Sequence, residues 1–203
     1  MGIIVEIKED ISGIRISLKA LNKITSYTRA VNSEIGGLLV IKRNNGIPLI
    51  KDALIFKQEV TSGSVELDAE TLNKYISKIA SKQPNKLEHL AGWWHSHCNM
   101  ETFWSAIDDD NFGVMAETMP IVYGLVTNKM GSMLCRVDMR TEMGKISIND
   151  IKLAYELGPS KLKYMKQARR NVIKKEFESP KYFELDYNTY YNTDYGQSKL
   201  DTI

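Results

Sequence analysis

The sequence is short of cysteine, of net charge and of long apolar runs. Its two cysteines, Cys98 and Cys135, stand in 203 residues. That is too few for a disulfide framework and fits a reducing compartment. Lys and Arg number 27 against 25 Asp and Glu, a formal net charge of +2, so no overall field points to nucleic acid or a membrane surface. No apolar run approaches the roughly 18 residues that cross a bilayer as a helix. The opening residues, Met1 to Glu6, lack the basic-then-apolar order of a signal peptide, so the expectation is a cytoplasmic protein. Internal repeats and a phosphate-binding glycine loop are also missing. What remains is an ordinary apolar fraction of 43%, enough for the core of one domain with an extension.

The chemistry concentrates in Trp94-His95-Ser96-His97 and, further on, Ser105-Ala106-Ile107-Asp108. Leu87 to Trp93 is largely apolar and is bounded upstream by Pro84 and Asn85, so it reads as a strand running into the histidines. Side chains alternate along a strand, so His95 and His97 share one face and Ser96 takes the other. Ser105 reads as a helix N-cap, with Phe112, Met115, Ala116 and Met119 at helical spacing behind it. Asp108 falls on the same inward face, where a carboxylate is costly unless it is paired or binds a metal. Asp109 and Asp110 fall off that face and read as solvated. Two histidines and a carboxylate are the ligand count of a catalytic zinc with one position left open. Two alternatives stand beside this. His-x-His on a strand can be two ordinary histidines, and Ser-x-x-Asp is also the capping-box pattern, in which Asp108 bonds back to the helix end.

His95-Ser96-His97, seven residues, Ser105, two residues and Asp108 resemble the signature of the JAMM/MPN-domain (JAB-type) zinc metalloproteases. The family also places a glutamate upstream, on the strand after the first helix. Glu34-Ile35-Gly36-Gly37-Leu38-Leu39-Val40 follows a helix-like segment here, so Glu34 takes that position; without the histidines it would read as a solvated residue at a helix–strand junction. The resemblance covers residues 12 to 150 in element order. It implies an α/β fold of the MPN (JAMM) type. This is a mixed, curved β-sheet flanked by helices in a three-layer arrangement like that of cytidine deaminases, here with a C-terminal helix and an irregular tail added. It also implies one zinc ion per chain with a bound water, held by His95, His97 and Asp108. Glu34 would be the general base and Ser105 the donor to the oxyanion. The implied substrate is the (iso)peptide bond after the C-terminal tail of ubiquitin or a ubiquitin-like protein. A non-catalytic MPN-type scaffold and a DNA-associated relative are the alternatives. Members with deubiquitinase activity usually carry proline after the second histidine, where this chain has Cys98. Cys98 is expected in the following loop, off the metal, with water in the fourth position and with serine or proline tolerated in its place.

The rest of the chain reads as scaffold. Ile3 to Lys8 reads as a first strand. Ser17 caps a helix with Leu18, Leu21, Ile24, Thr28 and Val31 inward, and Glu34 opens the next strand, where Gly36 and Gly37 admit a backbone or a substrate. Asn44-Asn45-Gly46 signals a hairpin returning over Pro48 to Phe56. Asp68 caps a second helix with a stripe of Leu72, Tyr75, Ile76 and Ile79. Ile121 to Thr127 and Ser132 to Asp138 pair as a hairpin. Trp93, Trp94, Phe103 and Trp104 surround the site in sequence, as packing or as a substrate groove. Met130, Met133, Met139 and Met143 offer either a contact surface or core filling. The organisation expected is a metalloprotease domain over 1–158, a basic helical extension over 159–178 and a tyrosine-rich irregular tail over 179–203. The basic helix, with Lys161, Lys163, Lys166, Arg169, Arg170, Lys174 and Lys175 around Leu162, Met165 and Val172 or Ile173, is either a solvated packed helix or, like the tail, a place for a protein partner.

Overall fold

The computed structural model describes residues 12–43, 46–61, 63–155 and 162–175. The expected strand over Ile3 to Lys8 and the tail over 179–203 lie outside the described residues, as do the first two positions of the Asn44-Asn45-Gly46 turn. In chain order the elements are β1 (Ile14–Ile16), α1 (Leu18–Ala30), β2 (Ile35–Lys42), β3 (Leu49–Ala53), β4 (Gln58–Val60), β5 (Val65–Leu67), α2 (Ala69–Lys82), a 3-10 turn (Pro84–His89), β6 (Gly92–Ser96), α3 (Ala106–Thr118), β7 (Ile121–Thr127), β8 (Met133–Thr141), β9 (Gly144–Ile148), β10 (Leu153–Tyr155), α4 (Leu162–Asn171) and β11 (Val172–Lys174).

Eight strands form one mixed sheet in the order β10-β1-β3-β2-β6-β7-β8-β9. Parallel pairing joins β6 to β7 and β1 to both β3 and β10, while the other neighbours run antiparallel. The sheet curls, and the Ile151 N–H just before β10 donates to the Cys135 carbonyl of β8 at 3.0 Å. Helices cover both faces. Ile24 and Tyr27 of α1 and Ala168 of α4 pack with Ile35, Leu39, Trp94, Leu125 and Val137 on one face. Phe112 and Ala116 of α3 pack with Trp93 and Val122 on the other. Adjacent tryptophans on β6 thus enter different cores, as alternation requires. A second sheet, β11-β4-β5, carries a hairpin beside the start of β2. Among the described residues, no helix is long and apolar enough to cross a membrane.

The caps act where expected: the Ser17 and Asp68 side chains accept from the Ala20 and Thr71 amides at the heads of α1 and α2. Several readings need correction. Leu87 lies in the 3-10 turn, and the histidine strand starts only at Gly92. Pro84 suits the first turn of a helix, where its missing N–H costs nothing, and Leu90 N–H closes on Leu87 O, so the apolar run is spent on a turn. The inner side of α1 is centred on Ala20, Ile24 and Tyr27, with Leu18 and Leu21 only half-buried. The stripe on α2 is real, but none of its residues is fully buried. The last helix stops at Asn171, and Val172 to Lys174 become β11, paired parallel to β4. Met139 fills the core while Met130 and Met143 stand exposed.

Candidate metal centre

Strand β6 delivers His95, and the chain holds the same course one residue further. His97 N–H donates to Thr127 O of β7 at 2.8 Å, so both imidazoles leave on one side, 4% and 3% exposed. Their ring centres are 5.0 Å apart and their Nε2 atoms 3.0 Å apart. His97 Nδ1–H donates to the Glu101 carbonyl at 2.9 Å, which leaves the lone pair of a neutral ring on Nε2. Burial, outweighing the attraction of Asp108, pushes His95 well below the ordinary histidine range, so its ring is neutral and able to ligate.

Asp108 satisfies both readings of its motif. Oδ2 accepts from the Ser105 amide at 2.8 Å and from the Ser105 hydroxyl at 2.7 Å, closing a capping box at the head of α3. Oδ1 turns the other way and lies 3.3 Å from His95 Nε2. Donor atoms of His95, His97 and Asp108 all lie within 4.8 Å of one another, and all three residues are buried. Around a tetrahedral ion with bonds of about 2.0–2.1 Å, neighbouring ligand atoms stand roughly 3.3 Å apart. The 3.0 Å and 3.3 Å separations are of that size, and two imidazoles with one carboxylate are a borderline-soft donor set. The residues fit a divalent metal with a position to spare.

Glu34 shares a cavity of about 230 Å³ with these three residues and Ser105. It sits one residue before β2, not within it, and its N–H donates to Thr61 O at 3.2 Å. Only 5% exposed, its carboxyl is pushed up to about 7, first by burial and then by the charge of Asp108. Gln58, fully buried, anchors the segment: its amide exchanges two 3.0 Å hydrogen bonds with the backbone of Gly36. Glycine is required there, because a Cβ on Gly36 would lie 3.0 Å from the Trp93 indole and one on Gly37 2.0 Å from Leu54 O. The glycines therefore admit a tryptophan and a neighbouring backbone. Phe103 packs edge-on against His97 at 4.5 Å and Trp104 against His95 at 6.1 Å.

Cys98 stands outside the ligand group. It begins a tight turn, closed by Met100 N–H on His97 O at 2.9 Å, with φ of 52°. Proline, locked near −65°, cannot adopt that angle, so the expectation that Cys98→Pro is tolerated fails. Asp109 is not merely solvated either, since it accepts from Arg136 Nη1 at 2.6 Å. Arg136 and Gln58 were missed. Arg136-Val137-Asp138 on one strand carried a usable signal, a charge pair two residues apart and so on one face.

No family model matches the chain. It is similar to the COP9 signalosome complex subunit 5 of Drosophila melanogaster, 31% identical over 97 residues, which is 47% of this chain and 30% of that protein. The subunit 5 proteins of Dictyostelium discoideum and Oryza sativa subsp. japonica match at 31% over 99 residues and 30% over 96. The chain spans under a third of the length of these relatives: 29% and 27% of the last two. Taken with a signature whose separated pieces meet in one buried cluster, these relatives support placing the chain in the JAMM/MPN family.

Proposed function

We propose that the protein is a zinc-dependent peptidase or isopeptidase that cleaves the bond following the C-terminal tail of ubiquitin or a ubiquitin-like protein, on an MPN fold with the three-layer arrangement of cytidine deaminases. The observation that carries this reading is the meeting, on one cavity, of a three-donor metal cluster with a buried carboxyl held near neutrality. One zinc ion per chain, held by His95, His97 and Asp108, would supply Lewis acidity and a water of lowered pKa. Glu34 takes a proton from the attacking water and returns it to the leaving amine, a task suited to a group that titrates close to working pH. Ser105 has one hydroxyl hydrogen, and it lies on Asp108 Oδ2 at 2.7 Å. In the resting arrangement the serine therefore orients a ligand, and it serves the oxyanion only when that hydrogen swings toward the cavity.

Trp93 and Phe103 wall the cavity, which leaves little room for side chains and suits a Gly-Gly tail. The free edge of β5, whose Val65 lies on the same cavity, offers main-chain groups to an extended peptide. Residues 1–158 form the catalytic unit in this reading, with 159–178 as an extension. The two free cysteines fit a cytoplasmic setting. The named relatives are subunits of a complex, so a protein partner is part of the proposal. The test is metal analysis joined to cleavage of a panel of ubiquitin-like fusions. Hydrolysis that is lost on chelation and restored by zinc is expected; a zinc-loaded chain that cleaves none of the panel would favour a scaffold.

A further inference from the structure

Behind the metal cluster lies a second buried polar group that the proposed chemistry does not use. Arg136 of β8 is 1% exposed. Its Nε and Nη2 donate to Asp138 at 2.9 and 2.7 Å, and Asp138 is itself fully buried. Those two bonds stay within one strand and use two of the five N–H groups of the guanidinium. The third leaves the strand: Nη1 donates to Asp109 on the first turn of α3 at 2.6 Å. The guanidinium also lies over the Phe112 ring at 4.4 Å and the Trp104 ring at 5.2 Å. The room for this is specific. Gly124 is the register partner of Arg136 on β7, and a Cβ there would come within 2.5 Å of Phe112, 2.8 Å of Arg136 and 2.9 Å of Trp104.

Two of these contacts, Asp109 and Trp104, lie directly beside proposed metal ligands. Asp109 is the chain neighbour of Asp108, and the Trp104 ring packs edge-on against His95 at 6.1 Å. We propose that Arg136 is a positioning residue for the metal centre, pinning the head of α3 through Asp109 and the His95 ring through Trp104, so that Oδ1 of Asp108 and Nε2 of His95 are held at chelating distance before any ion arrives. The inference rests on the metal reading of His95, His97 and Asp108. The physical gain is preorganisation: ligands fixed by outer partners lose less freedom when they bind.

Asp109 allows the test to be made without removing the arginine. Its side chain is 59% exposed, so Asp109→Asn leaves no buried charge stranded. Asp110→Asn, next along the helix, removes the same charge from an exposed position and is the control. The full chain is stripped of metal, and zinc affinity is read by competition with a chromophoric chelator. Cobalt spectra report the ligand geometry, and melting of the metal-free protein reports the fold. Asp109→Asn should bind zinc roughly 10- to 100-fold more weakly and alter the cobalt bands, while the metal-free protein melts within a few degrees of wild type. Asp110→Asn should match wild type in all three. Equal zinc affinity in Asp109→Asn and wild type, or an equal loss in Asp110→Asn, would overturn the positioning role while leaving the metal site intact. A wild-type chain that binds no zinc would instead overturn the metal reading and the positioning role with it.

Discussion

Asp108 and Asp109 are neighbours on one helix, yet they serve two polar clusters built on opposite principles. Asp109 joins Arg136 and Asp138, where one cation stands between two carboxylates and Lys145 adds a second cation 3.4 Å from Asp138. Charge and hydrogen bonds there are closed from within. Asp108 shares its cavity with Glu34 and two imidazoles, and among the described residues no lysine or arginine lines it. Burial then acts on both groups: Glu34 is driven up to about 7, and His95 is driven down. A buried group left uncompensated costs stability that folding alone would not retain. The contrast fits the proposed roles, the second cluster as a cation site and the first as its frame.

The sharpest way to break the contrast is to remove a donor. His95→Ala, His97→Ala or Asp108→Ala should each abolish stoichiometric zinc, because two remaining ligands bind weakly; full occupancy in the His97 variant would refute the cluster. The folded gain from the metal should vanish with it. Wild type at a zinc concentration about 1,000 times Kd should be stabilised by about 4 kcal/mol, and the alanine variants not at all, as read from denaturant midpoints.

Glu34→Gln tests the uncompensated carboxylate itself. Zinc should stay and activity should fall on the order of 100- to 10,000-fold; wild-type turnover would place the base elsewhere. The metal-free protein should respond in the opposite sense. With a folded pKa of about 7 against an ordinary 4.5, Glu34 binds more protons folded than unfolded between those values. Its contribution is therefore fully present below the lower value and is lost as pH rises through the upper one. Metal-free Glu34→Gln should melt a few degrees above wild type at pH 8 and level with it near pH 4. A lower melting point at pH 8 would show that the carboxylate is already compensated.

The closed cluster should behave as a structural ion pair. Arg136→Ala leaves buried Asp138 with only Lys145, 3.4 Å away and half-exposed, and should cost about 3–5 kcal/mol, with little recovered on adding zinc. The smallest effect belongs to the turn after the ligands. Cys98→Gly relieves a left-handed residue and should be neutral or stabilise by about 1 kcal/mol, whereas Cys98→Pro should destabilise by more than that. Denaturant titration of the pair checks the sign; equal stability of the two would mean that the φ of 52° is not held in solution.

The local pattern of the chain was enough for a good deal. Ser17, Asp68 and Ser105 announced their helices because capping is a matter of adjacent residues. His95 and His97 declared a shared face because strand alternation is local. Apolar runs were less reliable. Leu87 to Ala91 has the composition of a strand, but Pro84 and the packing around it make a 3-10 turn, and periodicity cannot separate short buried segments of the two kinds. The three-residue strands β4, β5 and β10 carry too few residues for a period to show at all.

Asp108 shows where the boundary falls. Its sequence context allowed a capping aspartate or a metal ligand, and nothing local could choose between them, because each use needs one oxygen. Only the folded sheet, which sets His95 3.3 Å from Oδ1 while Ser105 holds Oδ2, makes the two uses compatible in one carboxylate. The same holds for Arg136, whose charge is plain in the sequence but whose partners beyond its own strand arrive from α3 and from the loop before it. Residue types and local spacing determined which groups are available for chemistry. Burial, charge compensation and the meeting of Glu34 with residues more than sixty positions away are properties of the packed chain, since field and solvent exclusion depend on everything that surrounds a group in space.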